Sequence, residues 1–292
     1  MLQDKSFSGR LFDLLNGSLL LLISLITIVP FVYVLAASFT APEALLNQRF
    51  TIFPTTFSFD AYRYIFSTPT LIRSLLVTVW ITVAGTFVNL LLTSLMAYPL
   101  VRRDLDGRRA VMLLVLFTML FSGGMIPTFL VVKQLGLLNT YWSVILVGAI
   151  NPFNLIVLRS FFQQLPTGLE ESAKIDGCND LGIFFRIVLP LSMPAMATFA
   201  LFYSVGHWNS FFSAILYIND HTKWPIQVLL RQIVILSEGG IGEAQAVSET
   251  YIPVAQTIKM AVIIVSTLPI LCVYPFLQKH FAKGVMLGSI KG

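Results

Sequence analysis

Glu171-Ser172-Ala173-Lys174-Ile175-Asp176-Gly177, with Pro190 thirteen residues beyond its glycine and Pro194 after that, is a polar stretch set between two long apolar runs. It reads as helix, break, helix. Pro166-Thr167-Gly168-Leu169-Glu170 has the form of a capping box, with Thr167 as N-cap and Glu170 three residues on, each satisfying a main-chain amide that the first turn leaves orphaned. Gly177 stops the first helix, because glycine enters the left-handed conformation that ends helices at little cost, and Asn179 or Asp180 starts the second. Leu189-Pro190 is expected to close it, since proline has no amide hydrogen and disfavours helix at the residue before it. Hydrocarbon has no use for such an element, so it reads as a docking surface for something in water.

The runs on either side set the class. Of 292 residues, 56% are hydrophobic and only 11% charged, and the mean hydropathy is +0.82, far too apolar for a soluble domain. Uncharged stretches run from Leu14 to Pro42, Ser74 to Val101, Ala110 to Val132, Gln134 to Leu158, Ile187 to Asn219 and Met260 to Gln278. Even the shortest, about 19 residues, is long enough to cross a bilayer as a helix. Main-chain amides in hydrocarbon need partners within the chain, which leaves helices or barrel strands; barrel strands alternate over about ten residues, and these runs do not. The expectation is an all-α integral membrane protein of six transmembrane helices, with the loop at about 166–190 as a helix-turn-helix on one face.

Basic residues orient the bundle. Lys5, Arg10, Arg102, Arg103, Arg108, Arg109, Arg159, Lys174, Arg186, Lys279, Lys283 and Lys291 fall on one side, twelve of the nineteen, and the positive-inside bias puts both termini and the Glu171 loop in the cytoplasm. The net charge of +5 is then accounted for by topology anchors and requires no nucleic acid. The first run follows Lys5 and Arg10 as a secretory signal would, but it is about twice too long for one and reads as an uncleaved anchor. Cys178 in the cytoplasmic loop and Cys272 in the last span are kept apart, so no disulfide is expected.

The connections differ in character. An outer segment after the first helix carries Pro42, Pro54 and Pro69 and crowds Phe57, Phe59, Tyr62, Tyr64 and Phe66, a density suited to the headgroup level or to contact with an external partner. The basic turn from Val101 to Arg109 reads as a hairpin anchor and little else. Gly123, Gly124 and Pro127 fall inside the third span, where they permit a kink or close helix contact, while Gly136 and Asn139 fit an outer turn. In the long outer segment from Asp220 to Pro253, Gly239, Gly240 and Gly242 suit a flexible finger or simple linker slack.

The sequence contains no phosphate loop, no H-E-x-x-H, no cysteine pair at metal spacing and no nucleophile elbow, so catalysis within the chain is not expected. Ion-coupled carriers usually keep carboxylates near the bilayer centre, and the six runs hold none. His207 is the titratable side chain deep in a run, where a histidine more often joins helices by a hydrogen bond than relays protons. Next to it, Trp208 and Asn209 pair an indole face with an amide, a combination that binds sugars, although the indole also suits the membrane interface. An ion-coupled secondary sugar transporter working through His207 is the alternative reading.

Glu171-Ser172-Ala173-Lys174-Ile175-Asp176-Gly177-Cys178 with Ile187-Val188-Leu189-Pro190 resembles the EAA loop of the membrane subunits of bacterial ATP-binding-cassette importers. Leu135-Gly136-Leu137-Leu138-Asn139-Thr140-Tyr141-Trp142, Trp208-Asn209 and the ending Lys283-Gly284-Val285-Met286 to Lys291-Gly292 look like the sugar-importing, maltose-permease branch. The similarity runs from about Leu71 to the end. The terminal motif and Gly123-Gly124-Met125-Ile126-Pro127 are similar to a polysaccharide-permease subgroup that includes a subunit of the alginate importer. Ser172 departs from the pattern, which usually has a second small apolar residue there; serine is still small.

The resemblance implies a type I importer fold in which residues 1–71 form an N-terminal helix and outer loop, and 72–292 the permease core. It implies that the loop's first helix lies in a cleft of a cytoplasmic ATPase, with Glu171 as anionic contact and Ala173 allowing close approach, while Gly177 makes the turn and Asp176 caps the second helix. Glu170, Ser172 and Pro190 belong to the same coupling element. The tail at Lys291 and Gly292 reaches the ATPase pair, and the Gly239 region probes an extracytoplasmic sugar-binding protein. ATP and magnesium are then cofactors of two partner ATPase subunits and not of this chain. The remaining implied partners are a second, distinct permease subunit, the lipid bilayer of the bacterial cytoplasmic membrane, and an oligosaccharide, most specifically an acidic one such as alginate.

Overall fold

The computed structural model describes residues 7–47, 53–54, 56–237, 256–273 and 275. Among them the regular elements are helical, as expected for an all-α chain. Helix α1 (Phe7–Ser38) runs through Pro30, and α2 (Pro42–Asn47) and α3 (Asp60–Ser67) follow it. Helix α4 (Pro69–Val101) leads through the basic turn into α5 (Arg108–Leu120), α6 (Met125–Gln134), the short α7 (Trp142–Ile145) and α8 (Pro152–Phe162). The polar stretch forms α9 (Thr167–Ile175) and α10 (Asp180–Ile183), continued by a π-helical turn at Phe184–Val188 and by α11 (Leu189–Leu191). Helices α12 (Met193–Trp208), α13 (Phe212–Tyr217), α14 (Ile226–Ser237) and α15 (Gln256–Val273) follow.

Among the described residues, not every apolar run is one continuous helix. Among the described residues, α1, α4 and α15 are long and apolar enough to cross a membrane, and a fourth span arises if Asp180–Leu191 and Met193–Trp208, bent by 83° at their junction, are counted together. The run at 110–132 is interrupted between α5 and α6, where Gly124 takes φ +84°, so the glycine pair makes a break where a kink was expected. The run at 134–158 is interrupted before α8: Gly148 is left-handed, and Asn151 caps the new helix by accepting from the Asn154 amide at 3.1 Å, with Pro152 pre-set for the first turn. The outer turn expected at Gly136 and Asn139 has both residues at positive φ, 68° and 60°.

The chain groups into two compact units, one of Met1–Pro69 with Leu230–Thr267 and one of Thr70–Leu229 with Leu268–Gly292. In the first, Ser38 Oγ and Tyr62 OH are 2.8 Å apart, and the Phe39 ring stacks on Phe57 and Tyr62 at 5.2 and 4.8 Å. The crowded aromatics of the outer segment therefore form a local cluster. The second unit holds two apolar cores. One gathers Ala97, Tyr98, Leu155, Leu158, Ile183, Phe184 and Phe199, and the other Ile81, Ile145, Ala214, Ile218 and Val228. Helix α4 supplies residues to both, which makes it the element that links the polar hairpin's seat to the opposite end of the unit.

Candidate functional site

Hydrogen bonds within the hairpin at 166–191 close it on itself. The N-cap of α9 is Pro166, with no side-chain capping bond, so Thr167 is already helical and the expected capping box does not form. At the other end Gly177 takes φ +79°, the Cys178 amide donates to the Ala173 carbonyl at 2.9 Å and the Gly177 amide to the Lys174 carbonyl at 3.0 Å. This pair of bonds is a Schellman turn, which satisfies two carbonyls the helix end leaves over. Asp176 is the C-cap of α9 and does not cap the second helix; Asn179 does, its Oδ1 accepting from the Gly182 amide at 2.7 Å. Pro190 does not end that helix either. The π-turn before it, in which the Leu189 amide reaches back to Phe184, widens the ladder so that the proline ring is accommodated, and the helix ends at Ser192, whose amide bonds Val188 and Leu189.

The hairpin has an inner and an outer face. Ala173 is 7% exposed and joins the core with Ile183, Phe184 and Val188, so the close approach its small side chain permits is to this chain's own interior. Glu171, Ser172, Asp176 and Gly177 are exposed, and Glu170 is half-buried. Ile175 is 86% exposed and Leu181 61%. Apolar side chains standing so far into water beside a carboxylate, on a rigid capped turn, are the features of a surface awaiting a partner.

Three arginines gather where α4 ends. Arg159 Nε donates to the Leu100 carbonyl at 2.9 Å and Arg108 to the Arg102 carbonyl at 3.1 Å, satisfying acceptors that the helix terminus leaves orphaned. Arg102 does something else: its guanidinium bonds Asp180 on α10 and, at 3.2 to 3.3 Å, Asp104 in its own turn. The Asp180 hydrogen bond, helped by Asp104, holds Arg102 protonated even more firmly than an ordinary arginine. The Arg102 hydrogen bond in turn holds the Asp104 carboxyl below the usual carboxylate range. The basic turn is thus more than an anchor. Its contact with the hairpin escaped the sequence because Arg102 and Asp180 lie 78 positions apart.

Farther along α4 a polar seam faces α12. Asn89 Nδ2 donates to His207 Nε2 at 3.0 Å, Thr93 Oγ1 and Tyr203 OH are 2.7 Å apart, and the Asn151 amide donates to the same Tyr203 hydroxyl at 3.3 Å. The imidazole lies so close to the α4 backbone that a Cβ on Gly85 would stand 2.6 Å from Nε2. His207 therefore joins two helices. Trp208 is 6% exposed, so its ring faces are covered, while Asn209 is exposed and donates to the Val205 carbonyl at 3.0 Å. The three residues do not form one open sugar-facing patch. Gly239, Gly240 and Gly242, and the tail from Lys283 to Gly292, lie outside the described residues.

A family model described as binding-protein-dependent transport system inner membrane component matches residues 7–287. A Bacillus subtilis (strain 168) protein named polygalacturonan/rhamnogalacturonan transport system permease protein YtcP is 63% identical over 97% of this chain and 99% of its own length. Protein LplC of the same organism is 58% identical over 98% of this chain and 96% of its own. Among solved structures, a chain of a bacterial ABC transporter involved in the import of the acidic polysaccharide alginate superposes with a TM-score of 0.86 at 31% identity, covering 94% of this chain and 98% of that one.

Proposed function

The chain belongs to the family of binding-protein-dependent transport system inner membrane components, and on that premise we propose that it is one permease half of an ATP-driven importer of acidic oligosaccharides. It is a carbohydrate-transport subunit and not an enzyme. The observation that carries the coupling role is the hairpin itself: a Schellman turn and an asparagine cap fix α9 and α10 while Glu171 and Ile175 stand exposed on α9. A cytoplasmic ATPase grips that outer face, and nucleotide-driven closure of two such ATPases rocks the hairpin. ATP shifts the access equilibrium only as far as it favours one state of the assembly over the other. In this reading both termini and the hairpin are cytoplasmic, a second permease completes the pathway, and a binding protein delivers the sugar from outside.

Two relatives whose names share one chemistry support the substrate class. Polygalacturonan and alginate are both polymers of uronic acids. The relative at 63% identity favours a galacturonate-containing oligosaccharide over alginate. Reconstituting the complete assembly in liposomes and adding binding protein loaded with tetragalacturonate tests this: ATP hydrolysis rises several-fold with the loaded protein and not with the empty one. Hydrolysis indifferent to the loaded protein, or uptake that stops with an uncoupler while ATP remains high, overturns it.

A further inference from the structure

The hydrogen bonding of Arg102 is directed away from its own helix. Of the three arginines at the end of α4, Arg108 and Arg159 serve the helix carbonyls, and Arg103 and Arg109 are exposed as lipid-phosphate anchors are. Arg102 belongs to neither group. Its side chain is 13% exposed, and its guanidinium bonds two carboxylates, Asp104 two residues on and Asp180 at the first position of α10. Beneath the arginine, the end of α4 and α10 share the buried core of Ala97, Tyr98, Leu100, Ile183 and Phe184. The Tyr98 and Phe184 rings meet at 5.4 Å, and beside them lies a cleft of about 340 Å³ lined by Leu95, Arg102, Asp104, Leu105 and Leu181.

From this arrangement we infer that Arg102 is a positioning residue that clasps the coupling hairpin to the end of α4, so that motion imposed on the hairpin is passed to α4. Asp104 gives the clasp a second property. It holds the guanidinium from within the turn, so when the hairpin swings and Asp180 leaves, the half-buried cation is not stranded, and the cost of leaving a buried charge unpaired is avoided. Beyond the clasp, α4 meets α12 at Thr93–Tyr203 and Asn89–His207, the same α12 that follows the hairpin after its 83° bend. The hairpin therefore acts on α4 directly at one end and through α12 at the other.

The inference rests on the coupling role proposed above, and its test has a part that does not. In a Cys178→Ser, Cys272→Ser background, cysteines at Leu105 and Leu181, which line the same cleft, are bridged by a short bismaleimide in native membranes. Arg102→Gln and Asp180→Asn each lower the bridged fraction about fivefold, and the exchange Arg102→Asp with Asp180→Arg restores it to within about twofold, because the pair is an attraction between charges and not a shape. In the assembled importer, tetragalacturonate uptake falls about tenfold with either single change and returns with the exchange. Bridging that is indifferent to Arg102→Gln overturns the clasp whatever the transport result. Bridging that falls while uptake is unchanged overturns its part in coupling. An assembly whose wild type shows no stimulation by loaded binding protein counts against the importer reading and leaves the bridging result to decide the clasp.

Discussion

Replacing Gly85 by alanine drives a methyl group into a rigid ring. The added Cβ would stand 2.6 Å from His207 Nε2 and 2.8 Å from both Cδ2 and Cε1, where ordinary contact begins at 3.4 Å. The deficit is 0.8 Å, the difference between 3.4 and 2.6 Å. An imidazole cannot bend, and the α4 backbone is fixed by its own hydrogen-bond ladder, so either the helices part or the ring abandons Asn89. Overpacking of this kind costs about 1–3 kcal/mol. Loss of an interhelical hydrogen bond in a membrane adds about 0.6–1.7 kcal/mol. The expected destabilisation is about 2–4 kcal/mol, read by equilibrium unfolding in mixed detergent micelles. The double-mutant cycle with His207→Ala isolates the cause, because removing the ring removes the collision, and Gly85→Ala in that background then costs less than about 1 kcal/mol. A Gly85→Ala variant within about 0.5 kcal/mol of wild type, or one equally harmed with and without His207, would refute the packing described for this seam.

Gly177→Ala meets nothing within 4 Å, so its cost is purely that of φ +79° in a residue with a side chain, about 1 kcal/mol, and appears as faster hydrogen exchange at the Gly177 and Cys178 amides. A cysteine at Ile175 reacts readily with a water-soluble maleimide in the isolated chain and is protected once the ATPase subunits are bound; equal reactivity in both states would remove Ile175 from the docking face. The pH response of the basic turn follows from Asp104. The Arg102 hydrogen bond holds its folded-state pKa below the ordinary carboxylate range, so its contribution is complete above that range and is lost only as pH falls through the lower, folded value. The ratio of the wild-type Leu105–Leu181 bridging yield to that of Arg102→Gln at the same pH, which cancels the thiols' own pH dependence, should accordingly stay flat from about pH 5 to pH 8. A decline within that window would point to a group other than Asp104.

What the sequence made legible was whatever is local or cumulative. The apolar runs announced a helical membrane protein, and Gly177 and Asn179 announced the turn and the second cap, because each acts through neighbours within a few residues. The capping box was overridden by Pro166, whose fixed φ starts α9 one position early and takes Thr167 into the helix. The closure at Pro190 was overridden by the π-turn, which an apolar stretch such as Phe184–Val188 does not advertise. Continuity of the spans was misjudged because hydropathy sums over a window, whereas Gly124 and Gly148 break a helix by the conformation of one residue. The Arg102–Asp180 pair and the Asn89–His207 seam are long-range, and a single sequence carries no signal that joins them. Ala173 was assigned to the partner's side because its size fits any tight contact, and only the packing decides which contact that is.

The hairpin's closure on itself has a consequence for how such chains diversify. Its turn and its second-helix cap are made from bonds between residues of the same short segment, and its seat uses Ala173, Ile183 and Phe184, while Glu171 and Ile175 stay exposed. Under the coupling role proposed above, allegiance to a motor and allegiance to the pore are therefore written in different letters of the same word. Rewriting the outward letters alone would let one scaffold change engines without relearning its cargo.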